Sequence, residues 1–286
     1  MQVLEDPYQF QAYCASLDAS HALGFIPTMG AIHEGHLSLV RASRRQDEVT
    51  AVSIFVNPTQ FGPSEDLANY PRRLEQDLAL LEKEGVQVVF TPTPEGMYPN
   101  GVATFVDVAD LGQRLCGASR PGHFRGVATV VFKLFQLAAP TRAYFGQKDA
   151  AQVAVVRRMI HDLFLPVELV VGPIVRERDG LALSSRNAYL SPAERHSARI
   201  ISRALRIIGE AFDSGERSTP RLLMKGTEVI ENEPGLRLDY LTAVDGDTLL
   251  PVAEAVPGTL IAVAALVGST RLIDNARVDH DDLYLL

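Results

Sequence analysis

Pro27-Thr28-Met29-Gly30-Ala31-Ile32-His33-Glu34-Gly35-His36 follows a short apolar run, Ala22-Leu23-Gly24-Phe25-Ile26, and precedes Leu37-Ser38-Leu39-Val40-Arg41-Ala42, which reads as a helix. Strand, glycine-bearing turn and helix N-terminus in that order make a place for phosphate. The first backbone N–H groups of a helix have no internal partner, and the helix dipole favours negative charge there. His33 and His36, three residues apart, fall on one face of the first turn and can donate to the same anion. Two other readings of the pair stand beside this one. A zinc half-site would need one or two further ligands, but Cys14 and Cys116 are isolated and the other histidines are scattered. A purely structural pair would require packing alone to call for imidazole at a glycine-rich turn. No metal site is expected.

Working outward, the first part of the chain alternates strand and helix patterns. Continuous apolar runs suited to buried parallel strands lie at Ala22–Ile26, Val49–Val56, Val86–Phe90, Arg142–Phe145 and Val167–Val171. Helical patterns lie between them, at Leu37–Arg45, Pro71–Glu84, Val127–Ala138 and Ala150–Leu163. The alternation predicts an α/β, Rossmann-like, doubly wound parallel sheet with its ligands at the strand C-terminal ends. His33, Asn57, Gln60 and Lys148 each fall just after a strand, so their loops are expected to converge on one crevice. After Asn187 the pattern changes. Ser191-Pro192-Ala193-Glu194 is a capping box with proline at the first helical position, and the helix runs to about Asp213. Thr219-Pro220 opens another, reaching about Asn232. Leu236–Val244, Thr259–Val267 and Arg271–Asp274 then read as antiparallel strands separated by Asp-Gly, Pro-Gly and Gly-Ser turns. Two domains are expected, 1–175 Rossmann-like and 176–286 a smaller α+β domain.

Composition sets outer limits. The chain has 286 residues, 47% hydrophobic and 22% charged, with a formal net charge of −8. It carries no basic tail or Lys/Arg block, which argues against nucleic acid as a partner. No run approaches the roughly 18–20 apolar residues that span a membrane, and the N-terminus lacks the basic start and apolar core of a signal peptide. Two isolated cysteines suit a reducing compartment, so the cytoplasm is the expected address.

Four further blocks carry chemistry. In Ser53-Ile54-Phe55-Val56-Asn57-Pro58-Thr59-Gln60 two amides follow a strand end, where they could meet a hydroxylated, carboxylated small molecule or simply form a turn. Tyr144-Phe145-Gly146-Gln147-Lys148-Asp149 places a mobile ammonium after a strand; Asp149 could cap the next helix, hold Lys148 or meet a ribose. Asp179-Gly180-Leu181-Ala182-Leu183-Ser184-Ser185-Arg186-Asn187 offers hydroxyls and a guanidinium for phosphate oxygens, or is a polar linker. Ser119-Arg120-Pro121-Gly122-His123-Phe124-Arg125-Gly126 reads as another anion contact, although Arg125 could equally tie down its loop.

The segments PTMGAIHEGH, FVNPTQFG, RPGHFRG, FGQKD and DGLALSSRN, in this order and spacing, together with LIDN at 272–275, resemble the bacterial pantothenate synthetases (pantoate–β-alanine ligases) over nearly the whole chain. These belong to the HIGH-type nucleotidyltransferases, whose serine-rich loop corresponds to the KMSKS loop of class I aminoacyl-tRNA synthetases. The resemblance implies ATP-dependent condensation of D-pantoate with β-alanine through a pantoyl adenylate, with Mg²⁺ carried by the nucleotide and a homodimeric enzyme. It implies that ATP is bound by Met29, Gly30, Ala31, Ile32, His33, Glu34, Gly35 and His36, by Gly146, Gln147, Lys148 and Asp149, and by Val175, Leu183, Ser184, Ser185 and Arg186. It makes His36 the proton donor and His33, Lys148, Ser184, Ser185 and Arg186 the other catalytic groups. It implies that Gln60 and Gln152 hold pantoate, with Asn57, Arg120 and His123 also on the substrate side. Two departures stand out: Gln147 occupies a position where the family usually has glutamate, and Ala150-Ala151 replaces a bulkier pair before Gln152. Two rivals share these residues, an enzyme activating a different acid on the same fold and a nucleotide-binding protein without turnover.

Overall fold

A computed structural model of the chain describes residues 1–18, 20–62, 67–99 and 101–278; the end of the expected second domain, 279–286, lies outside them. In chain order the first part runs β1 (Gln2–Leu4), α1 (Pro7–Ala15), β2 (Leu23–Thr28), α2 (Glu34–Gln46), β3 (Val49–Ile54), α3 (Leu74–Lys83), β4 (Val88–Phe90), α4 (Pro94–Met97), α5 (Cys116–Ser119), α6 (His123–Ala138), β5 (Arg142–Gly146), α7 (Ala150–Asp162) and β6 (Glu168–Gly172). The six strands form one parallel sheet in the order β1-β4-β3-β2-β5-β6. From β2 the chain moves outward one way through β3 and β4, then returns to lay β5 and β6 on the other side. The order reverses between β2 and β5, and in open α/β sheets ligands bind beyond the strand C-termini at that reversal.

The apolar runs become strands because both faces are covered. Ile26, Val52 and Val89 of β2, β3 and β4 are fully buried and pack with Leu37 and Val40 of α2 and Leu81 of α3. Each large aliphatic side chain removed from water in this way contributes about 1.5–3 kcal/mol. Several elements depart from the sequence reading. β1 and α1 lie outside its expected elements. β1 has three residues at the sheet edge, and α1 buries only Phe10, which stacks on Phe90 with centroids 4.4 Å apart. α3 starts at Leu74, not Pro71, and α6 starts at His123. There Gly122, at φ +83°, turns the chain into the helix, while the polar first turn hides the start from a hydrophobic pattern.

The second part runs from β6 through the Ser184 loop to α8 (Pro192–Asp213), α9 (Thr219–Glu231), β7 (Leu236–Val244), β8 (Leu260–Val267) and β9 (Thr270–Arg277). The capping box at α8 is formed: Ser191 N–H donates to Glu194 Oε2 at 2.9 Å, and Glu194 N–H donates to Ser191 Oγ at 3.3 Å. The three strands make an antiparallel sheet in the order β7-β8-β9. Its buried residues, among them Ile261 and Val263, pack with Ile201, Leu205 and Ile208 of α8 and Leu222 of α9. The chain thus comprises two compact units. One is Met1–Gly146 with Val155–Gly172; the other is the chain from Pro173 on, together with Gln147–Ala154. Among the described residues, no helix is long and apolar enough to cross a membrane.

Candidate active site

β2 ends at Thr28, whose Oγ1 donates to Ser53 O at 2.7 Å and accepts from Gly30 N–H at 3.2 Å. Gly30 and Ala31 both have positive φ, +83° and +51°, which turns the chain sharply toward α2. Ala31 is the strained member, because an L side chain is disfavoured there. What holds it is Asp77 of α3, only 2% exposed. Its carboxylate takes the Ala31 N–H at 2.9 Å and the Ile32 N–H at 2.8 Å, one on each oxygen. Burial raises the Asp77 carboxyl above its ordinary value, and the two N–H donors oppose the rise. The amides of Ala31 and Ile32 are therefore committed inside the protein.

His33 then caps α2. Its Nδ1 accepts from Gly35 N–H at 3.2 Å, and His36 Nδ1 accepts from His33 N–H at 3.3 Å. The two rings stack with centroids 4.0 Å apart. Because an N–H occupies each Nδ1, a neutral ring carries its proton on Nε2. The backbone thus sets the tautomer of both imidazoles and makes both Nε2 atoms donors. Gly35 is required by this packing, since a Cβ there would lie 2.9 Å from His33 Cε1. The first amides of this turn are thus engaged within the protein, at Asp77, His36 and His33.

β3 leads into Asn57, which is fully buried. Its Nδ2 donates to Gln60 Oε1 and to Gly126 O, both at 3.1 Å. Its Oδ1 accepts from Tyr98 Oη at 2.8 Å and Thr59 Oγ1 at 2.9 Å. Both amide hydrogens and the carbonyl of Asn57 are thus used within the protein, and the residue stands behind Gln60. Gln60 Nε2 in turn points at Met29 Sδ, 2.9 Å away, tying this turn to the histidine loop. His123 Nδ1 lies 2.8 Å from Gln60 O and His123 Nε2 lies 3.0 Å from Arg120 Nη1. A carbonyl only accepts and a guanidinium only donates, so His123 carries its proton on Nδ1 and joins Arg120 to the Gln60 backbone. Arg125 lies over the Phe105 ring, 3.8 Å from its centroid.

In the other unit, Gln147–Asp149 form a single 3-10 turn and Gln152 sits half-buried in the first turn of α7. Lys148 Nζ is 3.9 Å from Asp149 Oδ1. Ala150 and Ala151 are both buried. Val175 O accepts from Leu183 N–H at 2.9 Å, which closes a hairpin delivering Ser184, Ser185 and Arg186. Ser184 Oγ caps the turn that follows, accepting from Arg186 N–H at 3.3 Å. A cavity of about 10 Å³ is lined by Lys148, Ser184, Asn187 and Asp274, among others.

Asp77, Tyr98 and Asn275 have no role in the sequence reading. A signal for Asp77 is present: Leu74, Asp77, Leu78 and Leu81 keep helical spacing, so an acid stands in the apolar stripe of α3, where burial without a partner would be costly. Asn275 enters the sequence reading only as the last residue of the LIDN stretch, without a role, and Tyr98 leaves no trace. Among the described residues, no three His, Cys, Asp or Glu side chains come together as a metal site. Mg²⁺ in nucleotide sites is held largely by phosphates, water and one or two carboxylates, and Asp149, half-exposed beside Lys148, is the carboxylate of the turn that fits that pattern.

The sequence model of the pantoate-beta-alanine ligase family matches residues 2–277. A pantothenate synthetase from Acidobacterium capsulatum is 60% identical over 90% of this chain and 86% of its own length. One from Koribacter versatilis is 54% identical over 96% and 95%. Among solved structures, a pantothenate synthetase of Thermus thermophilus superposes with a TM-score of 0.92 at 48% identity, covering 96% of this chain and 99% of that one. The pantoate-beta-alanine ligase of Francisella tularensis, complexed with beta-gamma ATP and beta-alanine, superposes with a TM-score of 0.80 at 32% identity, covering 99% of both. The chain belongs to the pantoate–β-alanine ligase family.

Proposed function

We propose that this chain condenses D-pantoate with β-alanine at the expense of ATP, through pantoyl adenylate, to give pantothenate, AMP and pyrophosphate. The observation that carries the reading is the pair of stacked imidazoles after β2, beside the sheet's reversal point, with both Nε2 donors set by the backbone. In the first step a pantoate carboxylate oxygen bonds to the α-phosphorus and the bond to pyrophosphate breaks. Charge gathers on the phosphate oxygens. His33 and His36 donate to them, with His36 the proton donor, and Lys148, Ser184, Ser185 and Arg186 add further donors. Such preorganised groups act without reorganising at the moment of reaction. Mg²⁺ carried by the nucleotide, with Asp149 the carboxylate that would hold it, would supply further charge neutralisation. In the second step the β-alanine amine bonds to the activated carbonyl and AMP leaves. Gln60 and Gln152 hold pantoate. Asn57 acts by aiming Gln60, and Arg120 acts through His123 on the same turn. Holding the carboxylate against phosphorus is itself a large part of the rate.

We also place the enzyme in the cytoplasm and assign it a homodimeric state, which Phe164, 90% exposed just before edge strand β6, supports. The test of function is pyrophosphate release from Mg·ATP with D-pantoate, with and without β-alanine, and AMP in parallel. A stoichiometric burst that becomes sustained turnover on adding β-alanine is expected. No release with pantoate, but release with another acid, would leave the fold and overturn the substrate. ATP binding without any release would favour a protein that binds nucleotide only.

A further inference from the structure

β9 presents two consecutive buried polar side chains, Asp274 and Asn275, 5% and 3% exposed. Neighbours along a strand point to opposite faces, so the two reach different parts of their own unit. Asp274 takes the Arg176 guanidinium with both oxygens, at 2.6 and 3.0 Å. Arg176 also donates to Gly180 O at 3.1 Å. It therefore holds the hairpin that ends in Ser184, Ser185 and Arg186. Asn275 reaches the other nucleotide segment. Its Nδ2 donates to Gln147 O at 3.0 Å and to Lys148 O at 2.9 Å, and its Oδ1 accepts from Gln147 Nε2 at 3.1 Å. Both amide hydrogens and the carbonyl of Asn275 are engaged with that turn.

This geometry bears on a weakness of lysine as a catalytic group. An ammonium on a four-carbon stem is mobile, and the 3.9 Å approach of Lys148 Nζ to Asp149 is too long for a hydrogen bond to hold it. The root of the stem can still be fixed. Two carbonyls held on either side of the Lys148 Cα fix both peptide planes and the direction in which the side chain leaves. Gln147 complements this arrangement. Its amide N–H meets Asn275 Oδ1, whereas a glutamate would set a second acceptor against that oxygen and favour rotating the Asn275 amide away from the two carbonyls. Lys148, Ser184 and Asp274 also border the same small cavity, so the two segments held by β9 adjoin one another.

We propose that Asn275 is a positioning residue that aims Lys148 by clamping the carbonyls of its turn, and that the Asp274–Asn275 pair locks this turn to the Ser184–Arg186 loop. The proposal rests on the reading of Lys148 as a phosphate contact. It is tested with Asn275→Ala, Asn275→Asp, Lys148→Ala and the double variant Lys148→Ala/Asn275→Ala, each followed by melting temperature, AMP formation and ATP titration. The aspartate variant keeps the shape of the residue and removes its donors, so it reports on the clamp even where alanine impairs folding. Displacing a catalytic group by about 1 Å costs on the order of 10²-fold. The expected result is a kcat/KM for ATP lowered about 10- to 100-fold in both Asn275 variants, with the KM for pantoate near wild type. In the Lys148→Ala background the second substitution should cost almost nothing further. Losses that multiply would show that Asn275 acts elsewhere and overturn the proposal, as would wild-type kinetics in a variant whose melting temperature alone has fallen. Full activity in Lys148→Ala would overturn the phosphate role of Lys148, and the proposal with it.

Discussion

Gly126→Ala adds a single methyl group at the point where α6 meets the Asn57–Gln60 turn. An ideal Cβ on Gly126 would lie 2.3 Å from Thr59 O and 2.7 Å from Gln60 Cα. Both are backbone atoms, so no side-chain rotation relieves the overlap. Non-bonded carbon contacts settle near 3.5–4.0 Å, and the helix and turn must therefore separate by about 1 Å. Forcing a methylene into a filled site costs roughly 1–3 kcal/mol, and for a chain of this size each kcal/mol lowers Tm by about 2–4 °C. The functional cost is larger. Gly126 O receives Asn57 Nδ2 at 3.1 Å, and His123, three residues earlier on the same helix, holds Gln60 O at 2.8 Å. Separating helix from turn stretches both, and Gln60 moves with the turn. At about 10²-fold per ångström of misplacement, kcat/KM for pantoate should fall on that scale, whereas ATP affinity by titration calorimetry should stay near wild type. The assay is AMP formation with pantoate varied at saturating ATP and β-alanine. Wild-type pantoate kinetics and an unchanged Tm would refute the close approach of α6 to this turn. Equal losses for both ligands would refute the assignment of Gln60 to pantoate.

Asp77→Asn should loosen the histidine loop, because an amide NH₂ would face one of the two N–H donors that the carboxylate accepts; the loss is about 1–3 kcal/mol in stability with weaker ATP binding, read by urea unfolding and calorimetry. The pH dependence has a definite sign. Burial raises the Asp77 carboxyl, so this group's contribution to stability is complete below its unfolded value and fades as pH rises through the higher folded one. The stability gap between wild type and Asp77→Asn should therefore narrow as pH rises across the acid range, and a widening gap would contradict the burial argument. His36→Ala should lower kcat about 10²–10³-fold, the scale of losing one preorganised donor to developing charge; near-normal AMP formation would remove it from the chemistry. Burial pushes the Cys14 thiol up to about 12, so it stays protonated at neutral pH and should resist iodoacetamide, because the thiolate is the nucleophile. Mass-spectrometric detection of rapid labelling at Cys14 in the folded protein would contradict that.

The strand–loop–helix at Ala22–Ala42 is legible because a parallel strand buried on both faces leaves a continuous apolar run, and a cap leaves a polar residue at its end. The same holds for Ser191 and Glu194, whose reciprocal bonds are readable from identity and spacing alone. β7 matches its expected span, Leu236–Val244, and β9 extends three residues beyond the expected Asp274, to Arg277. That extension matters, because it makes Asn275 an interior strand residue with a fixed direction. α1 and β1 escape a sequence reading because their stability comes from a partner distant in sequence, Phe90 on Phe10 and β4 on β1. Gly126 escapes it for a related reason. It stands just before the expected helix at Val127, as the last residue of the Ser119–Gly126 block, and nothing in that block tells which backbone it must approach.

Side-chain identity reveals what a residue can donate or accept, but not whether that capacity is used at home. Asn57 and Gln60 look alike in sequence, two amides after one strand. In the folded chain Asn57 has no hydrogen left to give, while the amide of Gln60 rests on a thioether, a weak acceptor that a substrate oxygen can replace at little cost. The same division separates Asn275 from Lys148 and Asp77 from the histidines. In each pair one residue has its polar atoms engaged inside the protein, and the other carries the group we assign to the nucleotide or the acid. The chemistry explains why the division exists. Adenylation asks the protein for donors already in place when charge reaches the phosphate oxygens. Imidazoles, amides and ammonium groups on rotatable stems are in place only if their roots cannot move. The buried asparagines and Asp77 meet that need without themselves touching a reacting atom, and their removal should therefore lower turnover through the residues they hold.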